Sequence, residues 1–273
     1  MRSIKGLLRP ALVRFGLRPP PPPDPEALTE LTEESLGPLM LRTDAGLGLF
    51  RLVHLLDAVA NGPAPKTILS IGSGLGTQEA FLALRHPEAE VVGVDLRKPK
   101  FLATLPNLRF IAGDLFDPGI RSLLPEADFV YSIECLEHIE RDEEVFALMI
   151  SKLSPGGRLF LLVPFASEAE LADPELCRRE REEYGHVRPG YSAERLRRLA
   201  GRHALSVQSI AATYRFPLQP FVAAGVEKLQ ASFLLPRWRQ VVALVESDVR
   251  QGLAANRTEA TAIKMLARRP ASA

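Results

Sequence analysis

Residues Thr67–Gly76 read TILSIGSGLG, an apolar run that ends in three glycines at alternate positions, and the helix-like segment Thr77–Leu84 follows at once. A strand, a tight loop and a helix start in this order are typical of a parallel α/β sheet, which brings backbone close to a nucleotide-like ligand. Glycine suits such a loop because a Cβ would block its backbone conformations and the approach of a ligand. The spacing is G-x-G-x-G rather than the G-x-G-x-x-G of dinucleotide binders, which argues against a pyrophosphate seated on the helix N-terminus.

Four more strand-like runs follow the glycine loop. They are Glu90–Leu96, Leu108–Leu115, Asp128–Glu134 and Gly157–Pro164. The first places Asp95 at a strand end, 19 residues beyond Gly76. An acidic side chain there can accept hydrogen bonds from both ribose hydroxyls of an adenosine ligand. One glycine motif alone is a weak signal, whereas five such strands in order predict an α/β domain.

Two further strands are predicted toward the C-terminus, at Leu205–Ile210 and Thr261–Ala267. The segment between them is far too long for a hairpin loop, and it contains two apolar stretches with helical spacing, at residues 221–230 and 238–245. This helical insert could line a pocket for a hydrophobic substrate, form a homodimer surface or touch a membrane. It could equally be an appendage packed on the sheet edge, because an apolar helix face is usually core.

From about Pro38 to Ile210 the chain resembles the class I S-adenosylmethionine (SAM) dependent methyltransferases. The resemblance implies a Rossmann-like α/β fold with a seven-stranded, mostly parallel sheet, helices on both faces and an antiparallel last strand. It also implies SAM as the cofactor. The helical insert between strands six and seven is an addition, because these two strands normally form a hairpin in this fold.

The resemblance implies cofactor-binding roles for residues at the strand ends. They are Ser70, Gly72, Ser73, Gly74, Asp95, Leu96, Asp114, Leu115 and Glu134. The glycine loop would pass the methionine part of SAM, Asp95 would bind the ribose, and Leu96, Asp114 and Leu115 would lie near adenine. One position departs from the pattern, since the family usually has Asp or Glu where this chain has Ser70. The usual charge partner of the SAM amino group is therefore missing.

Two histidines are the candidate catalytic residues. Methyl transfer from a sulfonium is an in-line displacement, so placement of the acceptor matters most and a base assists an oxygen or nitrogen nucleophile. His138 lies just past the fourth strand, in the segment Glu134–Ile139 that the resemblance places opposite the transferable methyl. His186 lies in a loop after the fifth strand that we expect to close the same cleft. His138 could instead only order the loop through hydrogen bonds.

A metal site is an alternative use of the same segment. Glu134, Glu137, His138 and His186 could together hold a divalent cation. Their spacing resembles that of small-RNA terminal ribose methyltransferases and ubiquinone-pathway O-methyltransferases, where a metal orients hydroxyls. Family members without a metal also carry the Glu-His dipeptide, and there Glu134 could face SAM while Glu137 caps a helix. We predict no metal.

Composition excludes several classes of protein. The chain has 273 residues and a net charge of +1, so no global field favours nucleic acid. Its two cysteines, Cys135 and Cys177, form no C-x-x-C pair, which disfavours a disulfide scaffold and is consistent with the cytoplasm. No run of 18 apolar residues occurs, so no spanning helix is expected. The charged run at residues 178–183 is predicted to be a solvated helix face with i,i+4 ion pairs.

The N-terminus combines basic and apolar residues and then reaches five prolines, Pro19 to Pro23, which form a stiff spacer. It could be an amphipathic helix resting on an anionic membrane, or a basic tail, and we favour the tail. The predicted division is a tail and spacer at 1–25, a helical cap at 26–66, a SAM-binding core at 67–211, the insert at 212–258, and the last strand and tail at 259–273.

The sequence therefore predicts a SAM-dependent methyltransferase that acts on a small-molecule or lipid-like acceptor, with oxygen favoured as the acceptor atom. A rival hypothesis is a non-catalytic protein that binds SAM to stabilise a partner-binding surface. A second rival is a nicotinamide-dependent oxidoreductase, which the glycine spacing, Asp114 and Glu134 disfavour.

Overall fold

The computed structural model describes residues 47–99, 105–213 and 262–271. Its strands are β1 (Thr67–Ile71), β2 (Glu90–Asp95), β3 (Leu108–Ala112), β4 (Ala127–Ile133), β5 (Leu153–Pro164), β6 (Ser206–Thr213) and β7 (Ala262–Arg268). Its α-helices are α1 (Leu47–Ala60), α2 (Thr77–Arg85), α3 (Pro118–Leu123), α4 (Asp142–Ser151), α5 (Glu168–Leu171), α6 (Pro174–Tyr184) and α7 (Ala193–Arg202). A 3₁₀ turn spans Leu136–His138.

The seven strands form a single sheet in the order β3-β2-β1-β4-β5-β7-β6. Strands β1 to β5 pair in parallel, and β7 runs antiparallel to both of its neighbours, β5 and β6. The predicted mostly parallel sheet with an antiparallel last strand is confirmed. Because the carboxyl ends of β1 to β4 meet at one edge, the polar residues that follow them converge there.

Helices cover both faces of the sheet because successive residues of a strand point to opposite sides. Ile68 belongs to a buried cluster that includes Leu55 of α1 and Leu82 of α2. Its neighbour Leu69 belongs to a second cluster, with Phe146 of α4 and Leu196 of α7. The two clusters hold the strand ends of the sheet in fixed positions.

Strand β5 begins earlier than the predicted run, at Leu153 rather than Gly157. Leu153 pairs with Ala127, and the register then shifts before Phe129 pairs with Arg158. The four residues between these two pairs include Gly156, whose φ is +78°, so the first part of β5 is irregular.

Other predictions lie outside the described residues. They concern the basic tail, the first part of the helical cap and nearly all of the insert, together with the membrane contact and the homodimer surface attached to them. Within the described ranges, no helix combines the length and the apolar character needed to cross a membrane.

Arg158 attaches α1 to the sheet near the starts of β1 and β4, the edge opposite to the one where the polar residues converge. Its side chain is buried, and Nη1 donates to the carbonyl oxygens of Ala58 at 3.0 Å and Val59 at 2.9 Å, while Nη2 donates to that of Pro63 at 2.6 Å. The last carbonyl groups of a helix have no partner inside the helix, so Arg158 satisfies acceptors that would otherwise be buried unpaired.

We expect Arg158→Lys to lower the free energy of unfolding by about 1–2 kcal/mol, because an ammonium cannot reproduce the planar fork that reaches three carbonyl groups. Urea unfolding measures the loss. Arg109→Lys is the control, since Arg109 pairs with Glu90 where both side chains are about half exposed, and its expected effect is under about 0.5 kcal/mol. Equal losses in the two variants would show that Arg158 does not anchor α1.

Candidate functional site

The loop between β1 and α2 packs against the chain that follows β4. Gly72 has a φ of +82°, and its N–H donates to the carbonyl oxygen of Val94 at 2.9 Å, which ties the loop to β2. A Cβ at Gly72 would collide with Sγ of Cys135. Glycine is required here both by the backbone conformation and by the close approach of the segment after β4.

Asp95 lies at the end of β2 and holds the same loop. Its Oδ2 accepts a hydrogen bond from the N–H of Gly74 at 2.9 Å. A Cβ at Gly74 would meet no atom within 4 Å, so the space over the loop is open. The neighbouring side chain of Leu96 is 72% exposed and can pack against a ring. This combination of acid, open glycine backbone and exposed apolar side chain fits the adenosine part of SAM.

The remaining predicted cofactor residues lie at the same edge, but not all of them reach the surface. Asp114 is exposed, and its Oδ1 accepts a hydrogen bond from the N–H of Phe116 at 2.9 Å, while Leu115 is partly buried against the core. Ser70 is buried, as is the hydroxyl oxygen of Ser73. Any contact of Ser73 with the cofactor would therefore come from its backbone.

Glu134 follows β4 in a backbone conformation that is rare outside glycine, with a φ of +50°. Such strain costs about 1–2 kcal/mol and concentrates at functional sites. The turn directs Cys135 onto Gly72. Oε2 of Glu134 lies 3.3 Å from Nη2 of Arg51, and both side chains are largely buried. Helix α1 is thus connected to the edge of the sheet where the cofactor residues converge.

The structure brings the two candidate catalytic histidines together. The rings of His138 and His186 meet edge to face, with centroids 4.7 Å apart. Nδ1 of His138 lies 3.2 Å from the carbonyl oxygen of Gly185, and Nδ1 of His186 lies 2.9 Å from Oε2 of Glu180. The ring of Tyr184 stacks on that of His186. His138 is exposed, whereas His186 is buried.

Three of the four residues considered as metal ligands also come together. One carboxylate oxygen of Glu137 and one ring nitrogen each of His138 and His186 lie within 4.8 Å of one another and could hold a divalent cation. The fourth residue, Glu134, is paired with Arg51.

Burial raises the pKa of Cys135 to about 12, and Glu137 and Asp95 add to the rise, so this thiol stays protonated and is a poor nucleophile.

Sequence reasoning missed Arg51 and Glu180 at this site. The predicted solvated face of α6 is confirmed for the pair Arg178–Glu182, at 2.7 Å, but Glu180 in the same run turns toward His186 and is 17% exposed. Glu180 lies six residues before His186, on the helix that precedes its loop, and this proximity was the signal available. Arg51 gave no such signal, because 83 residues separate it from Glu134.

The chain is similar to known methyltransferases. A family model described as "Methyltransferase domain" matches residues 46–210. A trans-aconitate 2-methyltransferase of Deinococcus radiodurans is 35% identical over 101 residues, which cover 36% of this chain and 37% of that protein. One from Variovorax paradoxus is 26% identical over 215 residues, covering 68% of this chain and 82% of that protein. The chain spans under two-fifths of the length of the Deinococcus radiodurans protein.

A solved structure of geranyl diphosphate methyltransferase in complex with SAM superposes with a TM-score of 0.55 at 13% identity. The match covers 90% of this chain and 95% of that one, and at this identity it shows the fold alone. The family model, in contrast, covers more than half of the chain, including the glycine loop, Asp95 and both histidines. The chain belongs to the methyltransferase domain family, the class I enzymes that use SAM as cofactor.

Proposed function

We propose that the protein transfers the methyl group of SAM to an oxygen atom of a small-molecule or lipid-like acceptor. The observation that carries the proposal is the exposed ring of His138 beside the buried ring of His186. His138 follows Cys135 by three residues, and Cys135 packs on the glycine loop. An acceptor bound over His138 would therefore approach the same edge of the sheet as the cofactor.

His138 is suited to take a proton from the acceptor. If Nδ1 carries the ring proton and donates a hydrogen bond to the carbonyl oxygen of Gly185, Nε2 keeps its lone pair. Nε2 can then accept the proton of an attacking hydroxyl. The developing alkoxide then attacks the methyl group opposite the sulfur. The bound cofactor supplies the electrophilic methyl, and the residues of this chain supply placement and proton removal.

His186 supports this role through its contact with His138 and does not itself contact the acceptor. Its ring is buried, its Nδ1 is held by the carboxylate of Glu180, and it packs on the ring of His138. A histidine fixed in this way restricts the rotation of its neighbour and places a negative charge near the imidazolium that would form. His186 is thus a positioning residue in this proposal.

The relatives suggest a class of acceptor to test first. The named substrate of the trans-aconitate 2-methyltransferases is a small carboxylate. A carboxylate oxygen is already deprotonated at neutral pH, so His138 would orient it rather than remove a proton, whereas a hydroxyl would need the base. Incubation with deuterium-labelled SAM and a panel of carboxylic acids, phenols and lipids, followed by mass spectrometry, tests both cases. Alkaline hydrolysis separates methyl esters from methyl ethers among the products.

The rival of a non-catalytic SAM-binding protein makes the opposite prediction. It requires tight SAM binding and no labelled product with any acceptor in the panel. Conversion of SAM to S-adenosylhomocysteine that depends on the acceptor would reject it, because a binding protein does not consume its ligand.

We expect methyl transfer to survive removal of divalent metal. Glu134 is paired with Arg51, which leaves three of the four considered ligands together, and proton removal by His138 needs no metal. The measurement is turnover after dialysis against EDTA, compared with dialysis against buffer alone. Loss of activity that Mg²⁺ or Mn²⁺ restores would instead assign Glu137, His138 and His186 as metal ligands.

A further inference from the structure

A buried carboxyl group lies behind the glycine loop, where the predicted cofactor residues gave no reason to expect one. Glu79 belongs to the first turn of α2, and its side chain is fully buried. Oε1 of Glu79 accepts a hydrogen bond from the hydroxyl of Tyr131 at 2.6 Å. Tyr131 lies on β4 opposite Ser70 of β1, so the three polar groups share one face of the sheet, directly below the loop.

The second oxygen of Glu79, Oε2, is buried without a hydrogen-bond partner among the residues described. A carboxylate in this position is costly as an anion, because burial disfavours charge. Burial accordingly raises the pKa of Glu79, and the negative charge of Asp95 adds to the rise, while the hydroxyls of Ser70 and Tyr131 offset part of it. Ser70 of β1, Asp95 of β2 and Tyr131 of β4 are thus the side chains of the sheet that act on Glu79.

The cofactor changes its charge when it reacts. SAM carries a permanent positive charge on its sulfonium, and S-adenosylhomocysteine does not. A cation brought close to a buried acid favours the ionised form, and in a partly buried site the attraction is worth several-fold to more than tenfold in binding. Asp95 connects the two places, since it holds Gly74 of the loop and also acts on Glu79.

We propose that Glu79 is a positioning residue of the cofactor site whose charge follows that of the cofactor: it is protonated to a greater extent when the cleft is empty or holds S-adenosylhomocysteine than when it holds SAM. The proton goes to solvent when SAM binds and returns after the methyl has left. Ser70, Tyr131 and Glu79 are all buried, so the charge of the cofactor acts on Glu79 through the electric field and not by contact. This inference rests on SAM as the cofactor. In it, Glu79 of α2 supplies the negative charge that Ser70 does not provide.

The direct test is calorimetric titration with SAM and with S-adenosylhomocysteine in two buffers of different ionisation enthalpy. In the native protein, SAM should release more protons than S-adenosylhomocysteine, and the difference cannot exceed one per site. SAM affinity should rise with pH up to the pKa of Glu79 in the free protein and be level above it. Equal proton release by the two ligands would overturn the inference, whether or not any variant folds.

Glu79→Gln is the informative variant because the amide oxygen can still accept the hydrogen bond of Tyr131 and mimics the neutral acid. It should abolish the difference in proton release and weaken SAM about tenfold, while S-adenosylhomocysteine stays within about twofold. Glu88→Gln removes an exposed acid just after α2 and should change neither. An equal loss for both ligands in Glu79→Gln would mean a structural role only. Failure of both ligands to bind the native protein would reject the cofactor and this inference together.

Discussion

Asp95→Ala should weaken SAM binding by about 1.5–3 kcal/mol, which corresponds to roughly a tenfold to more than a hundredfold rise in the dissociation constant. The carboxylate has two tasks at the end of β2. It accepts the N–H of Gly74 and so fixes the loop, and its remaining acceptor capacity is available to ribose hydroxyls. Alanine removes both, and calorimetric titration with SAM measures the loss.

Two further variants separate these tasks. Asp95→Asn keeps an oxygen that can accept from Gly74 but loses the charge and one acceptor, so its loss should be smaller than that of alanine. Glu126→Ala removes an exposed acid just before β4, at the opposite edge of the sheet, and should leave SAM affinity unchanged. Unchanged affinity in Asp95→Ala would show that SAM does not bind at this strand end.

The sequence allowed the glycine loop to be located because its signals are local. Gly72, Gly74 and Asp95 lie at the ends of two adjacent parallel strands, and an apolar run followed by glycine or acid marks a strand end directly. The meeting of His138 and His186 was also expected, since both follow strands of the same sheet. Their edge-to-face contact and the bond to Glu180 depend on the loop after α6, whose path no local pattern determines.

Two of the contacts that sequence reasoning missed join residues far apart in the chain. Glu79 and Tyr131 are 52 positions apart, and Arg51 and Glu134 are 83 apart. Glu79 reads as an ordinary acid in the first turn of a helix, where it would favour the helix dipole. Only the packing of α2 on the sheet shows that it faces inward. Pairwise burial of this kind follows from tertiary structure, and a single sequence contains no periodic signal for it.

His138→Ala should lower the turnover number about a hundredfold or more while SAM affinity stays within about twofold, if the acceptor is a hydroxyl. The reason is that His138 is exposed and, with Nδ1 turned to the carbonyl oxygen of Gly185, its Nε2 would accept the proton, whereas most of the proposed cofactor contacts come from the ends of β1, β2 and β3. Steady-state kinetics and SAM titration on the same preparation measure the two quantities separately.

Two controls distinguish a base from a residue that orders the loop. His86→Ala removes a partly buried histidine at the end of α2, close to the start of β2 and on the opposite edge of the sheet, and should leave turnover unchanged. Added imidazole should restore part of the turnover of His138→Ala, because the exposed position leaves room for it and a free imidazole can accept the proton. If His138 only shapes the loop, imidazole will not rescue, and SAM affinity and thermal stability will fall together. That result would reject proton removal by His138 and leave the proposed transfer dependent on placement alone.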